Sequence, residues 1–306
     1  MMNKKKATTL ILIGFLIAIF CTCSKKNPTG APKTTIPYGY HSDYNYLSVL
    51  RSGAQYAYES IDGYPVFTYQ DPSNEHLVEL KNNYNLENVA GNGDELSQIF
   101  NLLSWVNDRI RHDGSSTSPD PENSLNILTY CQATGNGVNC VMMAIVLNEV
   151  YLSMGFKSRV IQGNGKEWVF NGEWHAYNIV YSQTLGKWLF VDPTNCAYFT
   201  DDNGNLMSLR ELRENLIQGN DLHLNSDTKY NGNRISEFNY LHYLTKNIYR
   251  FSCSVHSAFD NSGFFYISEP YSNSFFHLDP ENDRQDGIEI VLNYYTSNPD
   301  FFWQKP

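Results

Sequence analysis

Gly137-Val138-Asn139-Cys140-Val141-Met142-Met143-Ala144-Ile145-Val146-Leu147 sets a cysteine directly before a run that is apolar almost all round a helical wheel. Asn139 is a good N-cap, and neither Pro nor Gly follows it until Gly155, which suits a helix stop. Cys140 is therefore expected to open a helix that is central and buried. On its C-terminal side Ser158 to Gln162 reads as a strand. Two stronger strand signals, Glu173 to Tyr181 and Lys187 to Pro193, are separated by Ser182-Gln183-Thr184-Leu185-Gly186 and should form a hairpin. On the N-terminal side Ile99, Leu102, Leu103, Val106 and Ile110 fall on one helical stripe, widened by Phe100 and Trp105. His112 to Asn123 is a polar loop, and Ser124 to Cys131 reads as a short helix.

The hairpin carries a geometric expectation. A four-residue loop closed by Tyr181 and Gly186 would set His175 opposite Asp192, with Tyr177 opposite Phe190 and Ile179 opposite Trp188. Directly opposed side chains have Cβ atoms about 5 Å apart, within reach of a carboxylate–imidazole hydrogen bond. A thiol attacks an amide only as thiolate, and a helix start lowers a cysteine pKa as a neighbouring imidazolium does. Cys140, His175 and Asp192 thus read as nucleophile, general acid and base, and orienting carboxylate. The Cys140 backbone N–H is a natural oxyanion donor, and Gln132 is a candidate for the second.

These residues resemble the transglutaminase-like superfamily of papain-type folds. The resemblance rests on Gly137-Val138-Asn139-Cys140, Met154-Gly155-Phe156-Lys157-Ser158-Arg159-Val160, His175-Ala176-Tyr177-Asn178 and Trp188-Leu189-Phe190-Val191-Asp192-Pro193-Thr194. Leu103-Ser104-Trp105-Val106-Asn107 fits the entry helix of that family, and Tyr177 stands where the family usually has Trp. Glu87-Asn88-Val89-Ala90-Gly91 and Phe301-Phe302-Trp303 are similar to stretches of transglutaminase-like lipoproteins of Bacteroidetes. The resemblance implies an α+β fold with the cysteine helix packed on an antiparallel sheet. It also implies thiol-mediated acyl transfer or hydrolysis at an amide of a peptide, protein or glycopeptide, through a thioester. The alternative is a non-catalytic surface or periplasmic module binding peptides or glycans in the same cleft.

The N-terminus bears on location. Lys4, Lys5 and Lys6 precede an apolar run from Leu10 to Phe20, the pattern of a signal peptide and too short for a comfortable membrane span. Cys21 and Cys23 sit where the run stops. Cys23, after the small Thr22, is the favoured site of lipid attachment, so the protein is expected to be exported and lipid-anchored to the cell envelope. Residues 1–22 then form the signal peptide and 23–43 a flexible tether, followed by an N-terminal extension over 44–94, the transglutaminase-like core over 95–220 and an aromatic-rich C-terminal extension over 221–306. Removing residues 1–22 takes away three lysines and no acid, so the net charge of −10 becomes −13. An acidic chain without a basic cluster beyond the tether argues against a nucleic-acid partner.

Cys131, Cys140, Cys196 and Cys253 remain beyond the signal region without metal-ligand spacing, so neither a metal nor another cofactor is expected. Cys196 and Cys253 could pair or stay as buried thiols. His112 and Asp113 could line the cleft, although a solvated loop pair is the favoured reading, and Asp201-Asp202-Asn203-Gly204-Asn205 reads as a turn rather than a calcium loop. Ser208 and Glu211 form a capping box for a helix to Gln218. Tyr240 to Tyr249 reads as another helix, and residues 264 to 296 as three strands.

Overall fold

Before the main sheet the chain is chiefly helical, with α1 (Tyr46–Gly53), α2 (Glu75–Asn83), α3 (Leu86–Ala90), α4 (Glu95–Arg109), α5 (Ser124–Thr134) and α6 (Cys140–Ser153), and a short β1 (Thr68–Tyr69) after α1. The computed structural model describes residues 45–53, 56–58, 63–166, 174–260, 275–278 and 293–306. All of them belong to one compact unit, Thr34–Pro306. Cys23, the signal segment and most of the 264–296 stretch lie outside the described residues.

Asn139 caps α6, its side chain accepting from the Met142 N–H, and every residue from Cys140 to Ser153 is buried. A helix with no polar face can be accommodated only with partners on all sides. α2, α4 and α5 surround it together with one face of a sheet. The strands after α6 are β2 (Ser158–Asn164), β3 (Trp174–Ser182), β4 (Lys187–Val191), β5 (Phe199–Thr200), β6 (His223–Leu224), β7 (Lys229–Tyr230), β8 (Asn233–Arg234), β9 (Arg250–Ser254), β10 (His256–Ser257), β11 (Phe275–Leu278) and β12 (Asn293–Thr296). The main sheet runs β12-β11-β9-β2-β3-β4, antiparallel except for the β11–β12 edge pair. α7 (Leu209–Gln218) carries the Ser208–Glu211 capping box, and α8 (Glu237–Lys246) and α9 (Pro299–Phe302) complete the helices.

The period-2 alternation of the strands divides the interior into two cores. Ala176, Val180, Leu189 and Val191 pack with α4, α5 and α6. Tyr177, Ile179, Tyr181, Trp188 and Phe190 face the other way, onto Leu209 and Leu212 of α7, Tyr240 and Leu244 of α8, and Phe302. This is an α+β fold in which the cysteine helix covers one face of a largely antiparallel sheet, and C-terminal helices cover the other.

The hairpin register differs from the expectation by two residues. Ser182 pairs with Lys187, Tyr181 with Trp188 and Ile179 with Phe190, so the turn is Gln183–Gly186. Two interactions select it. Gly186 needs its positive φ of 63° inside the turn. The Glu95 carboxylate at the start of α4 accepts from the N–H groups of Gln183 and Thr184 and from the Ser182 hydroxyl. A shift of two keeps each side chain on its face. It does remove Asp192 from the position opposite His175: Asp192 lies just beyond β4 and bridges to Ala197. The helix expected at Tyr240 to Tyr249 starts earlier, at Glu237, because Ser236 caps it by accepting from the Asn239 N–H.

Candidate active site

Helix α6 presents Cys140 at its first position, 8 % exposed at the edge of the helical core. Asn139 fixes this end twice, accepting from Met142 and donating to the Ser116 carbonyl. His175 is the second residue of β3, and strand alternation gives it the face of Tyr177. The edge of its ring meets Tyr177 and Tyr243, with centroids 5.7 and 5.2 Å away.

Asp192 reaches His175 from just past the end of β4, where the chain turns back. Its Oδ2 is 2.8 Å from His175 Nε2, and both residues are buried, at 0 % and 1 % exposure. The carboxylate is saturated with donors. Oδ1 accepts from the N–H groups of Thr194 and Asn195, while Oδ2 also accepts from the Asn195 amide at 2.8 Å and the Tyr240 hydroxyl at 2.6 Å. A buried carboxylate with this many donors is held ionised and in one orientation. Burial works to raise its pKa, but the His175 charge and these hydrogen bonds prevail and lower it.

With Nε2 committed to Asp192, the His175 ring keeps Nδ1, which is buried and makes no hydrogen bond. Its second titrating neighbour is the Cys140 thiol. Burial pulls the imidazole pKa down, but Asp192 first and Cys140 second raise it to about 10. The thiol is the mirror case. Burial raises its pKa, and the neighbouring imidazoles of His112 and His175 bring it down to about 6. Near neutrality the pair is thus thiolate and imidazolium. The other thiols are unpaired and held up by burial: Cys196 and Cys253 at about 11, and Cys131 above its ordinary value.

His112 departs from the solvated loop pair that its sequence context suggested. It is buried, its strand-like backbone bridges to Val138 two residues before Cys140, and its ring is among the groups that hold the thiol pKa down. Gln132 lies exposed near the end of α5 and takes no part in the hydrogen bonds described around Cys140. Asp201 to Asn205 form a tight turn in which Asp201 accepts from the Asn203 and Asn205 N–H groups. Tyr240 and Asn195 escaped the sequence reading. Asn195 was recoverable, because an Asp-Pro-Thr-Asn string favours a turn in which the Asp side chain caps the following N–H groups. Tyr240 was not, because no local pattern tells which tyrosine of an aromatic-rich helix reaches a carboxylate 48 residues earlier.

A thiol at a buried helix start, an imidazole on the adjoining strand and a carboxylate behind it have the arrangement of a cysteine-nucleophile triad. Residues 82–193 match the family model of the transglutaminase-like superfamily, so this segment is similar to a transglutaminase-like core. No curated protein matches the chain. Among solved structures, one from Cytophaga hutchinsonii named as a candidate cysteine protease is similar at 12 % identity and a TM-score of 0.32. The match covers 52 % of this chain and spans 55 % of that one.

Proposed function

We propose that the protein is a cysteine acyltransferase or hydrolase acting on an amide bond of a peptide, protein or glycopeptide. The observation that carries this reading is the 2.8 Å hydrogen bond from His175 Nε2 to Asp192, which leaves the other edge of the ring to the Cys140 thiol. In the first step the thiolate attacks the amide carbon; the S–C bond forms and the carbonyl π pair moves to oxygen. As the carbonyl re-forms, the C–N bond breaks and His175 gives its Nδ1 proton to the departing amine, leaving a thioester on Cys140. Water then attacks the thioester carbon as its proton passes to His175, the C–S bond breaks, and the acid leaves with the thiolate–imidazolium pair restored. An amine in place of water gives crosslinking by the same steps. Hydrolysis is the default where no amine is bound. Asp192 stabilises the imidazolium throughout. The N-terminal sequence supports a setting at the cell envelope, with a lipid on Cys23 as the anchor and extracytoplasmic peptides or glycopeptides within reach.

The test is alkylation by iodoacetamide from pH 5 to 10, with Cys140→Ala as control. Because burial holds the other three described thiols above their ordinary range, the rate at pH 6 to 7 separates Cys140 from them. Reaction with an inflection near pH 6 that disappears in Cys140→Ala is expected. An inflection where a free cysteine titrates, at about pH 8.5, sinks the reading.

A further inference from the structure

The reaction above accounts for one imidazole at the thiol, and the site holds two. His112 is fixed more firmly than a loop residue needs to be. The Asn231 side chain clamps its peptide on both sides: Oδ1 accepts from the His112 N–H at 2.7 Å, and Nδ2 donates to the His112 carbonyl at 3.0 Å. This reproduces with one amide the pair of bonds that a neighbouring strand would make. The residue before Asn231 holds the ring, with the Tyr230 hydroxyl 2.9 Å from Nδ1. Both belong to the β7–β8 hairpin, in which Tyr230 pairs with Asn233 around a two-residue Asn231-Gly232 turn. The φ angles there, 47° and 79°, are those of the tight turn that Asn-Gly prefers. A rigid hairpin, well past the core in sequence, thus sets both the backbone and the ring angle of a residue beside the nucleophile.

The ring geometry assigns the nitrogen that faces the thiol. Nδ1 is occupied by a tyrosine hydroxyl, and the bridge from His112 to Val138 lays the loop along the entry to α6. The nitrogen left to meet Cys140 is Nε2. When Tyr230 donates to Nδ1, Nε2 carries the hydrogen.

We propose that His112 is a second catalytic imidazole, an Nε2–H donor that holds the Cys140 thiolate at rest and the substrate oxyanion once the S–C bond has formed. The proposal rests on the thiol reading of the site and fills the donor position expected of Gln132, which lies exposed on α5. No proton leaves His112. It lends its N–H to sulfur and then to the carbonyl oxygen as the π pair arrives there, and the oxygen returns the pair when the C–N bond breaks. His175 alone exchanges protons. The charged and titratable groups around this donor are His175 with Asp192 behind it on the sheet side, and Arg111, Asp113 and Tyr230 on the loop and hairpin side.

The experiment compares two reactions of the same thiol in the full chain. Alkylation by iodoacetamide needs the thiolate and develops no oxyanion, whereas acylation by p-nitrophenyl acetate needs both. For His112→Ala the alkylation inflection should move up by about one pH unit, a tenfold slower reaction at pH 6. At pH 8.5 acylation should fall by about 100-fold, the scale of losing one oxyanion donor, while alkylation stays within threefold of wild type. His112→Gln keeps an N–H at the same reach without the ability to charge, and should recover most of both rates. Tyr230→Phe, which leaves His112 in place and releases its tautomer, should lie between. His112→Ala that folds by circular dichroism and keeps either the wild-type alkylation profile or the wild-type ratio of acylation to alkylation overturns the proposal. So does a Gln variant no better than Ala. A low inflection in wild type that moves in His175→Ala but not in His112→Ala defeats only the His112 role. A wild-type inflection near that of free cysteine defeats the thiol reading itself.

Discussion

The two faces of the main sheet handle polar groups in opposite ways. On the helical face α6 is buried throughout and apolar from Val141 to Leu147, and its polar contacts are few: among them, the Asn178 amide donates to the Ala144 carbonyl, the Asn148 amide to the Ser257 hydroxyl, and Glu149 accepts from the Ser124 and Asp260 N–H groups. On the other face the C-terminal segments bring hydroxyls and amides to bear: Tyr240 on Asp192, Tyr243 against His175, and the Tyr177 hydroxyl on the Asn247 carbonyl. The candidate site sits where the faces meet, at the start of β3 and the start of α6. The helical layer supplies the nucleophile through backbone position, and the C-terminal layer sets the charge and angle of the groups that activate it. The proposed chemistry therefore depends on residues well outside the segment that matches the superfamily model, which ends at residue 193.

The largest break in this division of labour comes from Asp192→Asn, which keeps volume and removes charge. Asn195 and Tyr240 would then face an amide able to satisfy fewer of their donors, and His175 would lose the group that raises its pKa. Acyl transfer should fall by about 100-fold to 10,000-fold, the range in which the carboxylate partner of a catalytic imidazole acts. The pH profile gives a second reading. With Asp192 present, the rate rises as Cys140 deprotonates around pH 6 and falls as the imidazolium is lost around pH 10. In the Asn variant the upper limb should move to lower pH. An unmoved upper limb would show that Asp192 does not set the imidazolium.

A smaller and purely structural break lies at the seam. Gly163 of β2 pairs with His175, and a Cβ there would stand 1.9 Å from the Tyr177 hydroxyl and 2.1 Å from the Asn247 carbonyl. The backbone oxygen cannot swing aside as a flexible side chain could. Gly163→Ala should cost about 3 kcal/mol in urea unfolding, at the upper end for an overpacked core. At Gly165 the nearest atom to a new Cβ is the Lys246 carbonyl at 3.2 Å, so Gly165→Ala is the matched control. Equal stability of the two variants would show that the C-terminal layer yields easily, against the rigid placement inferred for it.

The helical layer could be read from sequence because its information is local. Asn139 caps, Val141 to Leu147 stay apolar without interruption, and the stripe from Ile99 to Ile110 repeats at helical spacing. The His175 and Asp192 strands were legible for the same reason, although the register was not. Glu95, nearly ninety residues away, selects the turn by filling its N–H groups, and alternation along the strands is the same for both registers. His112, Tyr230 and Asn231 show a further limit. Asn231-Gly232 announces a tight hairpin, but nothing local says that its amide will clamp a peptide 119 residues earlier. Burial of His112 follows from that clamp and not from its neighbours in the chain, which are polar.

Tyr240→Phe is the smallest change and the most direct probe of the C-terminal layer. It removes one hydroxyl from a side chain that is 2 % exposed and leaves the ring in place against Phe199. Asp192 Oδ2 keeps His175 and Asn195, so no acceptor is stranded. The loss should sit at the low end for a hydrogen bond to a charged group, about 1.5 kcal/mol, or roughly tenfold in rate if the bond is fully expressed in activation. The sign of its pH effect is fixed by the direction of the Asp192 shift. Burial opposes ionisation, and His175 and then Tyr240 overcome it, so the folded pKa lies below the unfolded one. The stability so gained is present above the unfolded value and lost as pH falls through the folded value. Removing Tyr240 raises the folded value, so acid unfolding should begin at higher pH in Tyr240→Phe than in wild type. Tyr243→Leu takes away only a ring edge from His175 and should leave that acid limb where it is. If the two variants share the wild-type acid limb and rate, the hydroxyl of α8 is a bystander, and the transglutaminase-like segment orients its own carboxylate unaided.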